Sequence, residues 1–390
     1  METYTLEFYD LLSRALGGSD PARLQGYIDE VMPNKYNSLQ LDGFELDPDM
    51  QLDFTYEQLQ GEVGLNVMAT YVDLDSPAKP VSREPVRLTT GKIPRMKMVE
   101  YFNEDKLRKQ YILEQRFGAT SSRVVDAALN NLFVTIDTLI GGHTNSLTYQ
   151  RHQVVSRGKF ELTDTNNPNG IVNQTFAAHV PSANITTLTG TKRWWTDSTY
   201  DTEGTQANPV KDLRDWVKAA KRKTGVSMHI EVDSDYFDAV LSHSKVLAAI
   251  GANLFPTADA GVQASSASVQ GDDVKRAAFE RIVGVPVKVI DSVVSVERWD
   301  NDTKTLSRKS FRAFDDNVLV LVPDGVIGTV KTVEPIAIGG GDYATYYGGR
   351  LLLTVGADYV KKCQSFNTEM TSLVVPSVPQ HFFYLHPYSA

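Results

Sequence analysis

The side chains able to do chemistry are few in this sequence, and their spacing assembles no reacting centre. Seven histidines (His143, His152, His179, His229, His243, His381 and His386) are the first candidates for metal binding or proton transfer. None forms an HExxH pair or another histidine-carboxylate spacing of the kind zinc uses, so each reads as an ordinary surface or core residue. A GxSxG elbow, a strand-borne GxGxxG and a GxxxxGK[ST] phosphate loop are all missing. Gly339-Gly-Gly-Asp342 lacks the lysine and helix of a phosphate cradle and reads as a hinge or turn. The single cysteine, Cys363, excludes an intrachain disulfide and a cysteine-rich metal site, and reads as a buried, unreactive thiol. Asn173-Gln-Thr175 and Asn184-Ile-Thr186 fit a glycosylation acceptor only by chance, because Met1-Glu-Thr-Tyr4 begins no secretion signal. The expectation is a chain that is not an enzyme and holds no metal or cofactor.

Charge is a stronger signal. Of 390 residues, 42% are hydrophobic and 22% charged, ordinary for a globular chain long enough for two or three packed subregions, and no apolar run is long enough to cross a membrane. The net charge of -9 is unevenly spread. Residues 1 to 76 carry three Lys/Arg against fifteen Asp/Glu, whereas residues 77 to 116 carry ten against five. Two solvated surfaces would account for this, and so would an acidic segment of one chain meeting a basic segment of another. Six of the cations, Lys79, Arg83, Arg87, Lys92, Arg95 and Lys97, are candidate contact residues, as are Trp194 and Trp195, which suit either a subunit interface or the core of their own domain. Nucleic-acid recognition by the basic stretch lacks the interleaved aromatics of a single-strand platform, and the whole chain is acidic.

The elements that must position these residues follow from periodicity. From Thr120 to Gly158 apolar residues recur at spacings of three and four (Val125, Leu129, Leu132, Phe133, Ile136, Leu139, Ile140), resume with Leu147 and Val154 after a soft point at Gly141-Gly142, and stop at Gly158. Such a spine helix would run about 58 Å at 1.5 Å per residue and needs a sheet or a neighbouring chain along its stripe. Before it, residues 4 to 16 read as a short helix, the text to residue 62 as an extended acidic arm with few internal contacts, 64 to 74 and 86 to 98 as the strands of a long basic ribbon, and 103 to 117 as a connecting helix. A two-stranded ribbon of that length is marginal alone and needs another surface. After the spine come strands near 159 to 163 and 171 to 180, a helix at 210 to 223, and an α+β region: a strand at 228 to 232, a helix from 234 to about 249, a polar loop at 257 to 272, a helix to Gly284, and strands at 285 to 289, 292 to 298, 310 to 313 and 318 to 322. Residues 343 to 390 return to strand-like text with an aromatic tail.

The order of these pieces resembles a known family. The ribbon, the connecting helix, the spine closing as Gln150-Arg-His-Gln-Val-Val-Ser-Arg-Gly-Lys-Phe160, then Trp195-Thr-Asp197, Asn208-Pro-Val-Lys-Asp-Leu213, Gly284-Val-Pro-Val-Lys-Val-Ile-Asp291 and Asp316-Asn-Val-Leu-Val-Leu-Val-Pro-Asp-Gly-Val-Ile-Gly328 before Glu334-Pro335 look like the major capsid proteins of tailed bacteriophages, in their lambda-type branch, over about residues 60 to 340. The resemblance implies an α+β, Hong Kong 97-like fold. Its parts would be an N-terminal arm (1 to 62), an extended β-hairpin loop (63 to 98), a peripheral domain (99 to 190 with 339 to 390, spine helix 120 to 158) and an axial domain (191 to 338).

The same resemblance implies a function. The chain would self-assemble into pentamers and hexamers of an icosahedral head shell around double-stranded DNA, in the virion after assembly in the host cytoplasm. Its partners would be copies of itself, a separate scaffold protein, since the stretch before the ribbon is short for a scaffold domain, a portal and decoration proteins, with no membrane. Some relatives join subunits by a lysine-asparagine isopeptide bond, and Lys79 and Lys92 lie where that lysine is placed, but the partner asparagine and carboxylate are not visible in one chain. A cellular compartment shell of the same fold is the alternative. An enzyme would need a pocket of convergent acid-base residues that the sequence does not offer, and a host-surface binding protein would be told apart by whether the isolated chain binds cells or glycans.

Overall fold

The computed structural model describes residues 39–61, 86–117, 122–168, 170–300, 305–337, 343–358 and 363–388. The expected helix at 4 to 16, the outgoing ribbon strand at 64 to 74, Lys79, Arg83 and the glycine hinge at 339 to 341 lie outside them. In chain order the elements are β1 (Phe44–Leu46), β2 (Thr55–Gly61), β3 (Val86–Lys92), β4 (Arg95–Asn103), α1 (Glu104–Phe117), α2 (Ser122–Arg157), β5 (Lys159–Leu162), β6 (Gln174–Ala177), β7 (Ile185–Thr187), α3 (Pro209–Thr224), β8 (Met228–Asp233), α4 (Ser234–Ser242), α5 (Ser244–Leu254), α6 (Ala260–Ser268), α7 (Asp272–Val283), β9 (Val287–Ile290), β10 (Val293–Asp300), β11 (Thr305–Arg312), β12 (Leu319–Pro323), β13 (Gly328–Val333), β14 (Tyr343–Tyr346), β15 (Leu351–Asp358), β16 (Cys363–Pro376) and β17 (Phe383–His386). The fold is α+β, as expected.

The chain divides into two compact units, residues 1–56, 91–148 and 330–373, and residues 57–90, 149–329 and 374–390. Residues 149 to 190 and the aromatic tail fall with the second unit. The physical reason for the tail is its pairing. Strand β17 sits between β12 and β7, and Phe383, Tyr384 and Leu385 are buried there.

In the first unit α2 lies along a sheet, the long partner its stripe calls for. Ile136, Leu139, Ile140 and Leu147 are buried, and the ring of His143 shares a 3.0 Å hydrogen bond with Thr368 Oγ1 of β16. The helix runs unbroken through Gly141-Gly142. A Cβ at Gly142 would lie 2.2 Å from Met98 Sδ on β4, so the second glycine serves the close approach of helix to strand rather than a bend. The six-stranded sheet is ordered β1-β13-β16-β15-β14, with β4 also on β16.

Two expectations are corrected in this unit. The text before the ribbon is not free of internal contacts between residues 39 and 56: Leu39, Leu41, Phe44 and Tyr56 are buried, β1 pairs with β13, and Lys331 Nζ binds the Asp47 carboxylate. The return strand at 86 to 98 is also two strands. Strand β3 pairs with β2, Ile93 is buried and donates its N–H to Phe54 O at 2.7 Å, Pro94 has no N–H for a ladder, and β4 then joins β16.

The second unit is built on the sheet β7-β17-β12-β8-β9, with β8 and β9 parallel and α4 to α7 filling the crossover between them. Here too the helices depart from their expected bounds. The single helix expected from 234 is split at His243, whose backbone is extended (φ -61, ψ 131) and whose Nδ1 accepts from Lys245 N–H to cap α5. The Glu203 carboxylate accepts from Ser244 N–H at 2.6 Å, an anion at a helix N-terminus. Residues 257 to 272 are not all loop. Helix α6 packs so tightly on α5 that a Cβ at Gly251 would lie 2.3 Å from Gln263 O.

Candidate subunit-contact surfaces

The four basic candidates among the described residues fall on two different strands. Arg87 and Lys92 belong to β3, and Lys92 is exposed. Arg95 and Lys97 belong instead to β4, where β16 lies opposite. Arg95 Nε and Lys97 Nζ reach the two oxygens of Glu369 at 3.1 and 2.9 Å, and the Arg95 guanidinium stands 5.0 Å from the Phe54 ring centroid. Alternation places Arg95, Lys97 and Glu369 on one face of the sheet, since Lys97 and Glu369 are partners in register. These two cations are therefore engaged within their own unit while remaining exposed at its surface.

Trp194 and Trp195 are buried in their own unit, at 0% and 1% exposure, which is the core placement of the two that the sequence left open. Trp194 Nε1 donates to Asp212 Oδ2 at 3.0 Å, and Trp195 meets Trp194, Tyr200, Tyr236 and His243 edge-on with ring centroids 5.0 to 5.9 Å apart. The apolar side of α3 (Leu213, Trp216, Val217, Ala220) closes that core. Asn208 caps the helix through its side chain, and Gly225, at φ 69, ends it.

A buried charge network at the end of α2 escaped the sequence reading. Arg151 Nη1 donates to Glu231 Oε2 at 2.6 Å, and Nη2 reaches the other oxygen, a bidentate pair with side chains 3% and 0% exposed. His229 bridges Asp324 at 2.7 Å and Glu231 at 3.4 Å, and Lys288 Nζ lies 3.6 Å from Glu231. Burial alone would raise the Glu231 pKa, yet the hydrogen bond from His229 and the Arg151 guanidinium hold it down at about 2. Burial would lower that of His229, and its two carboxylate partners raise it instead. Burial, helped by Arg151, pushes His152 down to about 4. The signal was legible: Arg151 sits four residues after Leu147 and three before Val154, a charge inside an apolar stripe, and such a residue needs a buried counter-charge. The arrangement fixes α2 to β8 within the second unit.

Among the described residues no group of three or more His, Cys, Asp or Glu side chains is placed to hold a metal ion, and no helix is long and apolar enough to cross a membrane.

The sequence matches the family model described as phage major capsid protein E over residues 21–350. No curated protein matches it. Three solved structures are similar: a phage-related protein from Bordetella bronchiseptica RB50 (11% identity, 97% of this chain and 96% of that one, TM-score 0.46), the putative capsid protein of a prophage of E. coli CFT073 (12%, 90% and 89%, 0.42) and the capsid of cyanophage P-SCSP1u (6%, 90% and 89%, 0.45). Likeness at these TM-scores carries no argument by itself.

Proposed function

We propose that this chain, which belongs to the phage major capsid protein E family, forms a lambda-type head shell of pentamers and hexamers that encloses double-stranded DNA. A structural shell role in the virion follows from the family, and the match over residues 21–350 is the observation that carries it. The finer reading draws on features of the chain. A Hong Kong 97-like plan accounts for a 36-residue helix laid on a sheet, for a ribbon rooted at β2 and β3, and for an acidic segment beside a basic one. Neighbouring copies would supply the surface that a two-stranded ribbon lacks on its own. The partners proposed are further copies of the chain, a scaffold protein, a portal, decoration proteins and the packaged DNA, with assembly in the host cytoplasm. The buried Arg151–Glu231 pair is proposed as a brace that keeps α2 fixed within the subunit.

The test is nuclease protection. Particles are sedimented from a producing culture, treated with nuclease, and opened. Double-stranded DNA of uniform length is the expected content. Protein cargo without DNA would contradict the reading and point to a compartment shell.

A further inference from the structure

Among the described residues of the second unit, the hairpin of β10 and β11 is largely exposed. Its strands pair only with each other, in a register that sets Trp299 directly opposite Leu306. One face is held at the base of the hairpin, where Val294 is buried and the Phe311 ring stands 5.5 Å from that of Tyr149. The other face, with Trp299 and Leu306, turns outward. These two are 49% and 56% exposed, and an opposed tryptophan-leucine pair on an open ribbon is the composition of an interface anchor, not of a solvated surface. Of the cations of β11, Arg308 shares this face, opposite Glu297 of β10, while Lys309 lies on the other face and Arg312 is paired with Asp233, Asp235 and Asp291.

A complementary surface lies in the first unit. Residues 39 to 56 hold five Asp/Glu and no Lys/Arg. The turn before β2 carries Leu52, 78% exposed, between Asp49 and Asp53, which are also exposed. An isolated leucine at a surface needs no explanation, but one framed by carboxylates matches an apolar pair with Arg308 beside it.

We propose that the β10–β11 ribbon is a contact between copies of this chain, in which Trp299 and Leu306 of one subunit cover Leu52 of a neighbour while Arg308 faces the neighbour's Asp49 and Asp53. The proposal rests on the shell reading, which places a second copy against every subunit. It assigns the interface to a segment distinct from the extended loop at 63 to 98.

The experiment follows assembly of the full chain by light scattering, with electron microscopy of the products. The Trp299→Ser/Leu306→Ser chain should need a concentration about tenfold higher or more to assemble, the size of effect a central aromatic anchor carries. Arg308→Asp and Asp53→Arg should each reduce the yield of shells, and the chain carrying both should recover it, because each copy then meets the reversed charge of its neighbour. All four positions are on the surface, so circular dichroism of the unassembled chains should match the wild type. Assembly of the Trp299/Leu306 variant at the wild-type concentration would overturn the contact and leave the shell reading intact. A doubly reversed chain that assembles worse than either single variant would overturn the pairing. A wild-type chain that forms no shell at all would overturn the shell reading and the contact together.

Discussion

At the scale of single residues, the second unit depends on a charge pair that is worth more to its geometry than to its net stability. Arg151 and Glu231 have lost their water, and the desolvation penalty cancels much of their attraction. Removing one partner is a different matter, because the other charge stays buried alone. Glu231→Gln should cost about 3–5 kcal/mol in a denaturant titration, and Arg151→Met paired with Glu231→Leu should recover most of that loss.

Protonation acts on the same scale. His143 and His152 are pushed down to about 4, mainly by burial, so the folded chain keeps them neutral where the unfolded chain takes up protons. Their contribution is complete above about pH 6.5 and is lost as the pH falls towards 4. Glu231 adds a second loss between about 4.5 and 2. His229 runs the other way, its contribution being full below about 6.5 and declining as the pH rises through its elevated pKa. Denaturation midpoints at pH 7 and pH 5 should therefore show a less stable chain at the lower pH. Replacing His143, which is buried against Thr368, by an uncharged residue of similar size should flatten that difference.

At the scale of elements, glycines in helices separate what the sequence showed from what it hid. Gly141 and Gly251 are both helix-interior glycines, yet the space around them differs. A Cβ at Gly141 meets nothing within 4 Å, so Gly141→Ala should stabilise by roughly 0.5–1 kcal/mol through helix propensity alone. At Gly251 the Cβ would strike the backbone of Gln263, and Gly251→Ala should destabilise by about 1–3 kcal/mol as α5 and α6 are forced apart. Urea melts of the two variants check both signs. The same contrast explains which elements could be read. Helices α2 and α3 carry apolar stripes and end in left-handed glycines, so they were legible almost to the residue. Helix α6, AGVQASSAS, has no stripe because small residues are what let it lie against α5, and it passed for loop. Strand β16 was legible within the strand-like text from 343, since from Cys363 it alternates buried Phe366, Thr368 and Met370 with polar positions before Leu373 to Pro376, which are apolar.

At the scale of the whole molecule, the local text gave the order of the elements and not their grouping. Units form by long-range pairing, and neither the return of β17 to β12 nor the departure of β4 from the ribbon to β16 is encoded in the periodicity of those strands. Of the candidate contact residues, Trp194 and Trp195 resisted reading for a related reason: an aromatic pair in polar text suits a core and an interface equally, and only the surrounding helices decide. The exposed pair Trp299 and Leu306 was passed over because eight-residue strands of mixed polarity look alike whether their open face meets water or protein.

The central claim is that copies of this chain build a closed shell. Cryo-electron microscopy of the purified chain, alone and with a scaffold candidate, tests it most directly. Closed icosahedral particles whose capsomers are rings of five and six subunits are the expected result. A chain that stays monomeric at every concentration, even with the scaffold candidate present, would contradict it.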